Sequence, residues 1–133
     1  PAQPLKERPS LKRDIRWLAG LLEGEGSFEW AWLERHGKYY GMPTVRYAST
    51  DADVAHTVAN MFGVQPIGPY QQPRRAAAHY LPTYWVQARG ARAVKLLQRI
   101  HRYMGARRQA TIAWQLDLWN TYLNLPRGQK GHS

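Results

Sequence analysis

The sequence of 133 residues contains no cysteine and only 9 acidic residues. The absence of cysteine excludes a disulfide framework and any zinc site built on cysteine. The chain has no run of about 18 apolar residues, so it lacks a segment that could span a membrane as a helix. Its first ten residues, PAQPLKERPS, are polar and do not form the apolar region of a secretory signal. We therefore expect an intracellular protein (cytoplasm, nucleoid or organelle) that is neither secreted nor bound to a membrane.

The few acidic residues are unevenly distributed. The formal net charge is +10, and between Val54 and Ser133 a single acid, Asp117, stands against eleven Arg or Lys residues. A solvated surface usually mixes both signs, so this stretch indicates a polyanionic partner. Nucleic acid fits best, because the arginine fork matches phosphate groups and guanine edges. A membrane surface and basicity without function remain alternatives, although no basic helix with a wide apolar face is evident.

The periodicity of apolar residues predicts a mixed α+β protein. Helical spacing begins after Ser10, the predicted N-cap, and alternation then predicts two strands, 27–35 and 39–48, around the turn RHGK. A second helix, capped by Thr50, ends at Gly63. A second pair of strands (VQPIGPY and YLPTYWVQAR) and two helices (90–103 and 110–125) complete the order αββαββα plus a terminal helix. This order favours one antiparallel sheet that is covered by helices on one face and open on the other.

The predicted domain organisation is simple. Residues 1–10 are expected to form a flexible arm, residues 11–125 a single domain, and residues 126–133 a polar tail after Pro126. A domain of this size is large enough to bury an ordinary hydrophobic core.

The segment WLAGLLEGEGSF, residues 17–28, combines glycines and acids at the end of the first helix. Acids at a helix C-terminus oppose the helix dipole, and a single glycine would be enough to end the helix. The segment resembles the signature of the LAGLIDADG homing endonucleases: residues 18–26 match its nine positions, with Glu23 and Glu25 where the name has Asp. The segments STDADVAHTVANMFGV and RAVKLLQRIHRYMGARRQ are also similar to elements of this family, so the resemblance covers residues 11–125.

The resemblance implies a sequence-specific endonuclease that hydrolyses double-stranded DNA with a divalent metal and has a saddle-like antiparallel sheet. In the family the acid at the eighth motif position is a metal ligand, which implies Glu25, together with the main-chain carbonyl of Gly24. Mg²⁺ suits such oxygen ligands and could polarise the phosphate and activate water. Mn²⁺ or Ca²⁺ is expected to be able to replace it in binding. Glu23 is expected to be solvated or to cap a helix.

The family also uses groups that orient water and offset the phosphate charge. Where a glutamine is often found after the second strand, this chain has Ser49, followed by Thr50. The basic residue before the last helix matches Arg107 or Arg108, although strict spacing could place Ala106 there. An arginine cannot act as a general base because its pKa is too high, so these residues are implied to stabilise charge, or else simply to contact phosphate.

The open face of the sheet is expected to lie in the major groove of DNA. Strand parity predicts the base-contacting side chains Glu29, Arg35, Tyr40, Thr44, Arg46, Tyr70, Gln72, Thr83, Trp85, Gln87 and Arg89. Arg74 and Arg75, on the loop between the last two strands, are expected to bind phosphates. For Trp85, packing in the core is the alternative.

The chain contains a single copy of the motif, whereas a double-strand break requires two reacting phosphates. A homodimer acting on a near-palindromic target meets this requirement. Its predicted interface is one side of the first helix: Leu18, Gly20, Leu21 and Gly24. The alternative function is a catalytically inactive protein of the same fold that acts as an RNA maturase or a DNA-binding protein.

Overall fold

The computed structural model describes residues 13–70 and 81–123 of the chain. The predicted arm (1–10) and tail (126–133) and the predicted DNA contacts Gln72, Arg74 and Arg75 lie outside these ranges. A short 3₁₀ turn, His101–Tyr103, joins the last two helices. The principal elements are α1 (Ile15–Glu25), β1 (Ser27–Arg35), β2 (Lys38–Ser49), α2 (Ala52–Phe62), β3 (Ile67–Tyr70), β4 (Thr83–Arg89), α3 (Ala91–Ile100) and α4 (Ala106–Leu123). This order confirms the predicted fold class.

The four strands form one antiparallel sheet in the order β1-β2-β4-β3. Alternate residues of the central strands, such as Val45 and Val86, are fully buried and pack with the helices, which contribute Leu18, Val58 and Leu97. Burying such side chains stabilises the fold by about 1.5–3 kcal/mol each. On the opposite face Glu29, Arg46 and Trp85 keep two fifths or more of their surface exposed, so this part of the face is available to a ligand.

The beginnings of the first two helices differ from the prediction. The prediction that Ser10 is the N-cap of α1 was wrong. The helix begins at Ile15, and Asp14 is its N-cap: Asp14 Oδ1 accepts a hydrogen bond from the backbone N–H of Trp17 at 3.0 Å. Thr50 was wrong as the N-cap of α2, since Asp51 occupies that position. In both helices an aspartate close to the predicted residue occupies the N-cap position, where its negative charge interacts favourably with the helix dipole.

Helix α1 continues directly into β1 through Gly26. The Gly26 N–H donates to Leu22 O at 2.8 Å, and a Cβ on Gly26 would lie 2.7 Å from the same oxygen. A side chain would therefore push the turn apart. Glycine at this position allows the end of α1 to lie beside the first residues of the sheet.

Helix α4 begins at Ala106, four residues earlier than predicted, and Glu23 of α1 explains the difference. The carboxylate Oε1 of Glu23 accepts a hydrogen bond from the Gly105 N–H at 2.6 Å. Arg108 donates from Nη2 to the Glu23 carbonyl at 3.3 Å, and its Nε lies 3.3 Å from Oε2 without forming a hydrogen bond. The carboxylate satisfies a backbone donor that a helix start leaves without a partner, and it complements the helix dipole. Glu23 thus connects α1 to α4, in agreement with its predicted capping role.

We expect Glu23→Ala to lower the free energy of unfolding by about 1–3 kcal/mol, because the Gly105 N–H and Arg108 lose a charged partner. The matched control is Glu25→Ala, which should leave stability unchanged or slightly raise it because an acid is removed from a helix C-terminus. Chemical denaturation of both variants measures the difference. Equal losses from the two substitutions would contradict this role of Glu23. The effect of Arg108→Ala should be smaller in the Glu23→Ala background than in the wild type.

Candidate active site and nucleic-acid interface

Glu25, the last residue of α1, is the acid that remains available. Its side chain is exposed and forms no hydrogen bond or ion pair within residues 13–70 and 81–123. Positions i and i+2 of a helix do not share a face, so Glu25 points away from the contact that Glu23 makes with α4. Instead it lines a cleft of about 290 Å³ at the edge of the open sheet face, together with Ser27, Glu29 and Arg46.

The end of α1 offers oxygen atoms of the kind that a hard cation prefers. The carbonyl of Leu22 accepts from Gly26 and that of Glu23 accepts from Arg108, whereas the Gly24 carbonyl has no donor among the described residues. The helix dipole adds negative potential here. No cluster of three or more His, Cys, Asp or Glu occurs in the described part of the chain. Glu25 and the Gly24 carbonyl are oxygen donors of the kind that Mg²⁺ takes alongside several water ligands.

Tyr47 is a neighbour of Glu25 that the sequence reasoning missed. Its side chain is only 3% exposed, and it lines the same cleft as Glu25. Burial raises the pKa of Tyr47, a hydrogen bond with the Ser49 side chain opposes this, and the charges of Glu25 and Asp51 add to the rise. The phenol therefore stays protonated at neutral pH. Strand parity placed Tyr47 under the helices, and nothing in its local pattern indicated that it would reach the end of α1.

Ser49, a predicted catalytic residue, is engaged in the turn before α2. Its Oγ accepts a hydrogen bond from the Asp51 N–H at 2.9 Å and lies 3.4 Å from the Asp51 carbonyl, to which it donates. The side chain is partly buried. Its hydrogen bond with Tyr47 links it to a residue that lines the same cleft as Glu25.

The centre of the open face carries a connected set of polar side chains from three strands. Arg46 Nε donates to Gln87 Oε1 at 2.8 Å, and Arg46 Nη1 lies 3.8 Å from Glu29 Oε2. Ser27 Oγ donates to Glu29 Oε1 at 2.9 Å. Arg46 pairs directly with Gln87 on β4 and with Ser27 on β1. The arginine is therefore held in position with part of its fork still available, since its side chain is 41% exposed.

The other predicted contacts differ in accessibility. The prediction that Thr44 is an accessible contact was wrong. By strand alternation its side chain belongs to the open face, but the residue is 0% exposed, because it lies between Glu29 and Arg89 on the adjacent strands. Tyr40 is partly buried and lines a cavity of about 460 Å³ with residues of α4. Trp85 is 40% exposed, which does not favour the alternative of core packing. The other predicted base-contacting residues are exposed or partly exposed: Arg35, Tyr70, Thr83 and Arg89.

The two predicted basic residues do not precede the last helix, as had been expected, but lie in its first turn. Arg108 has a side chain only 16% exposed, is held by Glu23 and lies with its guanidinium 4.9 Å from the centre of the Phe28 ring. Arg107 is exposed and its side chain has no partner in the described ranges. Only Arg107 is therefore available to a ligand without rearrangement.

One predicted interface residue is buried within the chain. Leu18 is 0% exposed and belongs to the core, so its assignment to a dimer interface was wrong. Gly20 and Gly24 are exposed, and no atom lies within 4 Å of a Cβ built on either. Leu21 is partly buried beside them. This side of α1 could receive another helix at close range.

The sequence matches no protein-family model and no curated protein. No helix in the described ranges is both long and apolar enough to cross a membrane.

Several solved protein structures have a fold similar to that of this chain. The chain is similar to the homing endonuclease I-CvuI in complex with its target, with a TM-score of 0.63 and 14% identity over 83% of this chain and 68% of that one. It is similar to the group I intron-encoded homing endonuclease I-CeuI complexed with DNA, with a TM-score of 0.60 and 15% identity over 83% of this chain and 55% of that one.

A third similar structure is the I-SmaMI LAGLIDADG homing endonuclease bound to cleaved DNA, with a TM-score of 0.58 and 17% identity over 91% of this chain and 43% of that one. The chain thus spans about two thirds of the first of these proteins and less than half of the third. By element order, by its open antiparallel sheet and by these matches, the chain has the fold of the LAGLIDADG homing endonucleases.

Proposed function

We propose that the protein is a sequence-specific endonuclease that makes double-strand breaks in DNA with a divalent metal ion. The observation that carries this proposal is the different use of the two motif acids. Glu23 is bound within the protein, whereas Glu25 is exposed beside the open sheet face and has no partner among the described residues. An exposed carboxylate weakens phosphate binding through repulsion unless a cation lies between them.

Glu25 and the Gly24 carbonyl would hold Mg²⁺, which supplies Lewis-acid polarisation of the phosphate and a more acidic bound water. Mn²⁺ or Ca²⁺ could take the same oxygen ligands in binding. Tyr47, protonated at neutral pH, lines the same cleft as Glu25, and its hydroxyl could donate a hydrogen bond to a ligand held there. Arg107 could offset the charge of the phosphate from the start of α4.

Recognition is proposed to occur on the open face, with the sheet in the major groove. Arg46 is held by Gln87 and Glu29, so its remaining donors are oriented before DNA arrives. A fixed arginine fork is suited to the O6 and N7 atoms of guanine. The surrounding exposed side chains would extend the contact along the groove and include Arg35, Tyr70, Thr83, Trp85 and Arg89.

The working unit is proposed to be a homodimer that binds a near-palindromic site. The exposed side of α1, with Gly20 and Gly24, allows two copies of the helix to approach closely around a two-fold axis. Such an arrangement would bring both copies of Glu25 to the centre of the complex, one for each DNA strand. The alternative, an RNA maturase or DNA-binding protein without cleavage, is disfavoured because a protein that only binds needs no unpaired carboxylate at this position.

Glu25→Gln should reduce cleavage at least a hundredfold, since a neutral amide is a poor metal ligand, while DNA binding is kept or strengthened. The assay uses a plasmid that carries the gene's own uninterrupted insertion site, with and without Mg²⁺. Glu23→Gln is the control and should cleave nearly as well as the wild type at a temperature where it is folded. Cleavage by Glu25→Gln at the wild-type rate would overturn the assignment of Glu25.

Arg107→Ala should slow cleavage more than it weakens DNA binding, because this exposed side chain has no partner among the described residues and can offset the charge of the reacting phosphate. Arg108→Ala should instead lower the thermal stability, because Arg108 is bound to Glu23 and packs on Phe28. Single-turnover cleavage, DNA affinity and thermal unfolding separate the two effects. If Arg107→Ala lowers affinity and rate equally and makes the salt dependence of binding shallower, Arg107 is a phosphate contact without a catalytic role.

Gly20→Leu should disrupt the dimer, because the added side chain would keep the two α1 helices apart. In a single chain the substitution meets open space, so the monomer should remain folded and its circular dichroism should be unchanged. Sedimentation velocity at micromolar concentration, with and without DNA, measures the assembly. A wild-type protein that stays monomeric in both states yet makes clean double-strand breaks would sink the dimer proposal.

A further inference from the structure

Helix α3 and the 3₁₀ turn that follows it carry four cationic side chains on one side. Arg92, Lys95, Arg99 and Arg102 are separated by three, four and three residues, and all four are exposed. Residues at these spacings lie on the same face of a helix; Arg102 continues this line into the 3₁₀ turn that follows α3. We call these four residues the α3 basic stripe. With a rise of 1.5 Å per residue, the stripe is about 15 Å long.

The stripe lies on the side of the molecule away from the open sheet face. Helix α3 buries Ala93, Leu96, Leu97 and Ile100 in the core between the helices and the sheet. Its cationic residues alternate with these buried ones and therefore face outward from the helical layer. DNA bound on the open face would be separated from the stripe by the sheet and by α3 itself.

The charge of the stripe is not neutralised by neighbouring acids. Lys95 and Arg99 form no hydrogen bond or ion pair in the described part of the chain. Arg92 donates to the Gly63 carbonyl, and the guanidinium of Arg102 lies 4.9 Å from the centre of the Tyr103 ring. Both contacts leave the positive charge in place. The sequence after Val54 contains one acid in total, and no ion pair joins an acid to the stripe among the described residues.

The stability of α3 does not account for this arrangement. Arg99 and Arg102 lie near the helix C-terminus, where the dipole favours cations, but Arg92 lies in the first turn, where it disfavours them. A row of like charges also repels itself along the helix. A polyanion on this side would relieve the repulsion. Tyr103, 37% exposed at the end of the stripe, adds an aromatic ring on which an unpaired base could stack.

We propose that the α3 basic stripe binds the phosphate backbone of a single-stranded nucleic acid, as a second site separate from the open sheet face. A stripe one helix wide reaches one strand, and the ring of Tyr103 suits unpaired bases, so a single strand fits better than a duplex. One protein could then hold a duplex on its sheet and a single strand on its helices. The site does not depend on cleavage, and its test is independent of the proposed catalytic activity.

The test measures binding of a labelled single strand of about 16 nucleotides to the whole chain by fluorescence anisotropy, with excess unlabelled duplex of matching length present. The stripe variant is Lys95→Gln with Arg99→Gln. Its control, Arg46→Gln with Arg89→Gln, removes the same charge from the open face. The substituted stripe residues are exposed, and glutamine is a good helix former, so the stripe variant should fold.

The stripe variant should bind the single strand about tenfold more weakly at moderate salt and reduce the salt slope by about 1.4, the value for two lost contacts to a single strand. Its affinity for duplex should change less than twofold, whereas the control should show the opposite pattern. Tyr103→Leu should weaken binding of the single strand severalfold without changing the salt dependence of that binding.

RNA and DNA strands of the same sequence are compared, and binding of either one supports the site and identifies its ligand. The proposal would be overturned if the stripe variant and its control both weakened binding of the single strand and of the duplex equally. Complete displacement of the single strand by the duplex would also overturn it. A wild-type protein that never cleaves DNA but shows these binding differences would refute the proposed enzyme and leave the second site standing.

Discussion

The contact between the Glu23 carboxylate and the start of α4 is the interaction on which the arrangement of the site depends. It connects the end of α1 to a helix that lies 82 residues further along the chain. Because Glu23 turns toward α4, Glu25 must turn toward the sheet. The same contact sets the first residue of α4 and fixes Arg108 beside Phe28. One carboxylate thus determines the direction of a second carboxylate and the accessibility of two arginines.

The tight passage from α1 into β1 adds a second constraint. Gly26 allows the strand to begin at once, so the cleft beside Glu25 is formed by residues close to it in sequence together with partners on β2 and β4. The polar set of Arg46, Gln87 and Glu29 starts at this cleft. A ligand that reaches Glu25 therefore also meets this polar part of the sheet.

The sequence predicted the fold class, the element order and the face of the sheet on which Arg46 and Gln87 lie, because strand parity and helical spacing are local properties. It did not predict what depends on contacts between distant residues. Thr44 has the correct parity, but its cross-strand neighbours cover it. Leu18 follows the helical pattern as Leu21 does, yet only the packing of α3 against α1 shows that it is buried. Tyr47 lines the same cleft as Glu25 but belongs to another element, so no local pattern could reveal it.

Under the proposed function, the coupling of Arg46 to Gln87 and Glu29 has a consequence for how the protein could change its preferred DNA site. If Arg46 were replaced alone, Glu29 would lose its nearest described cation and would face the DNA as an uncompensated negative charge. If Gln87 were replaced alone, the arginine would lose the acceptor that orients it. Each single step would weaken binding before any new base could be favoured. Divergence at this position would therefore proceed through paired substitutions on neighbouring strands, and related chains that read different sites should vary at these positions together.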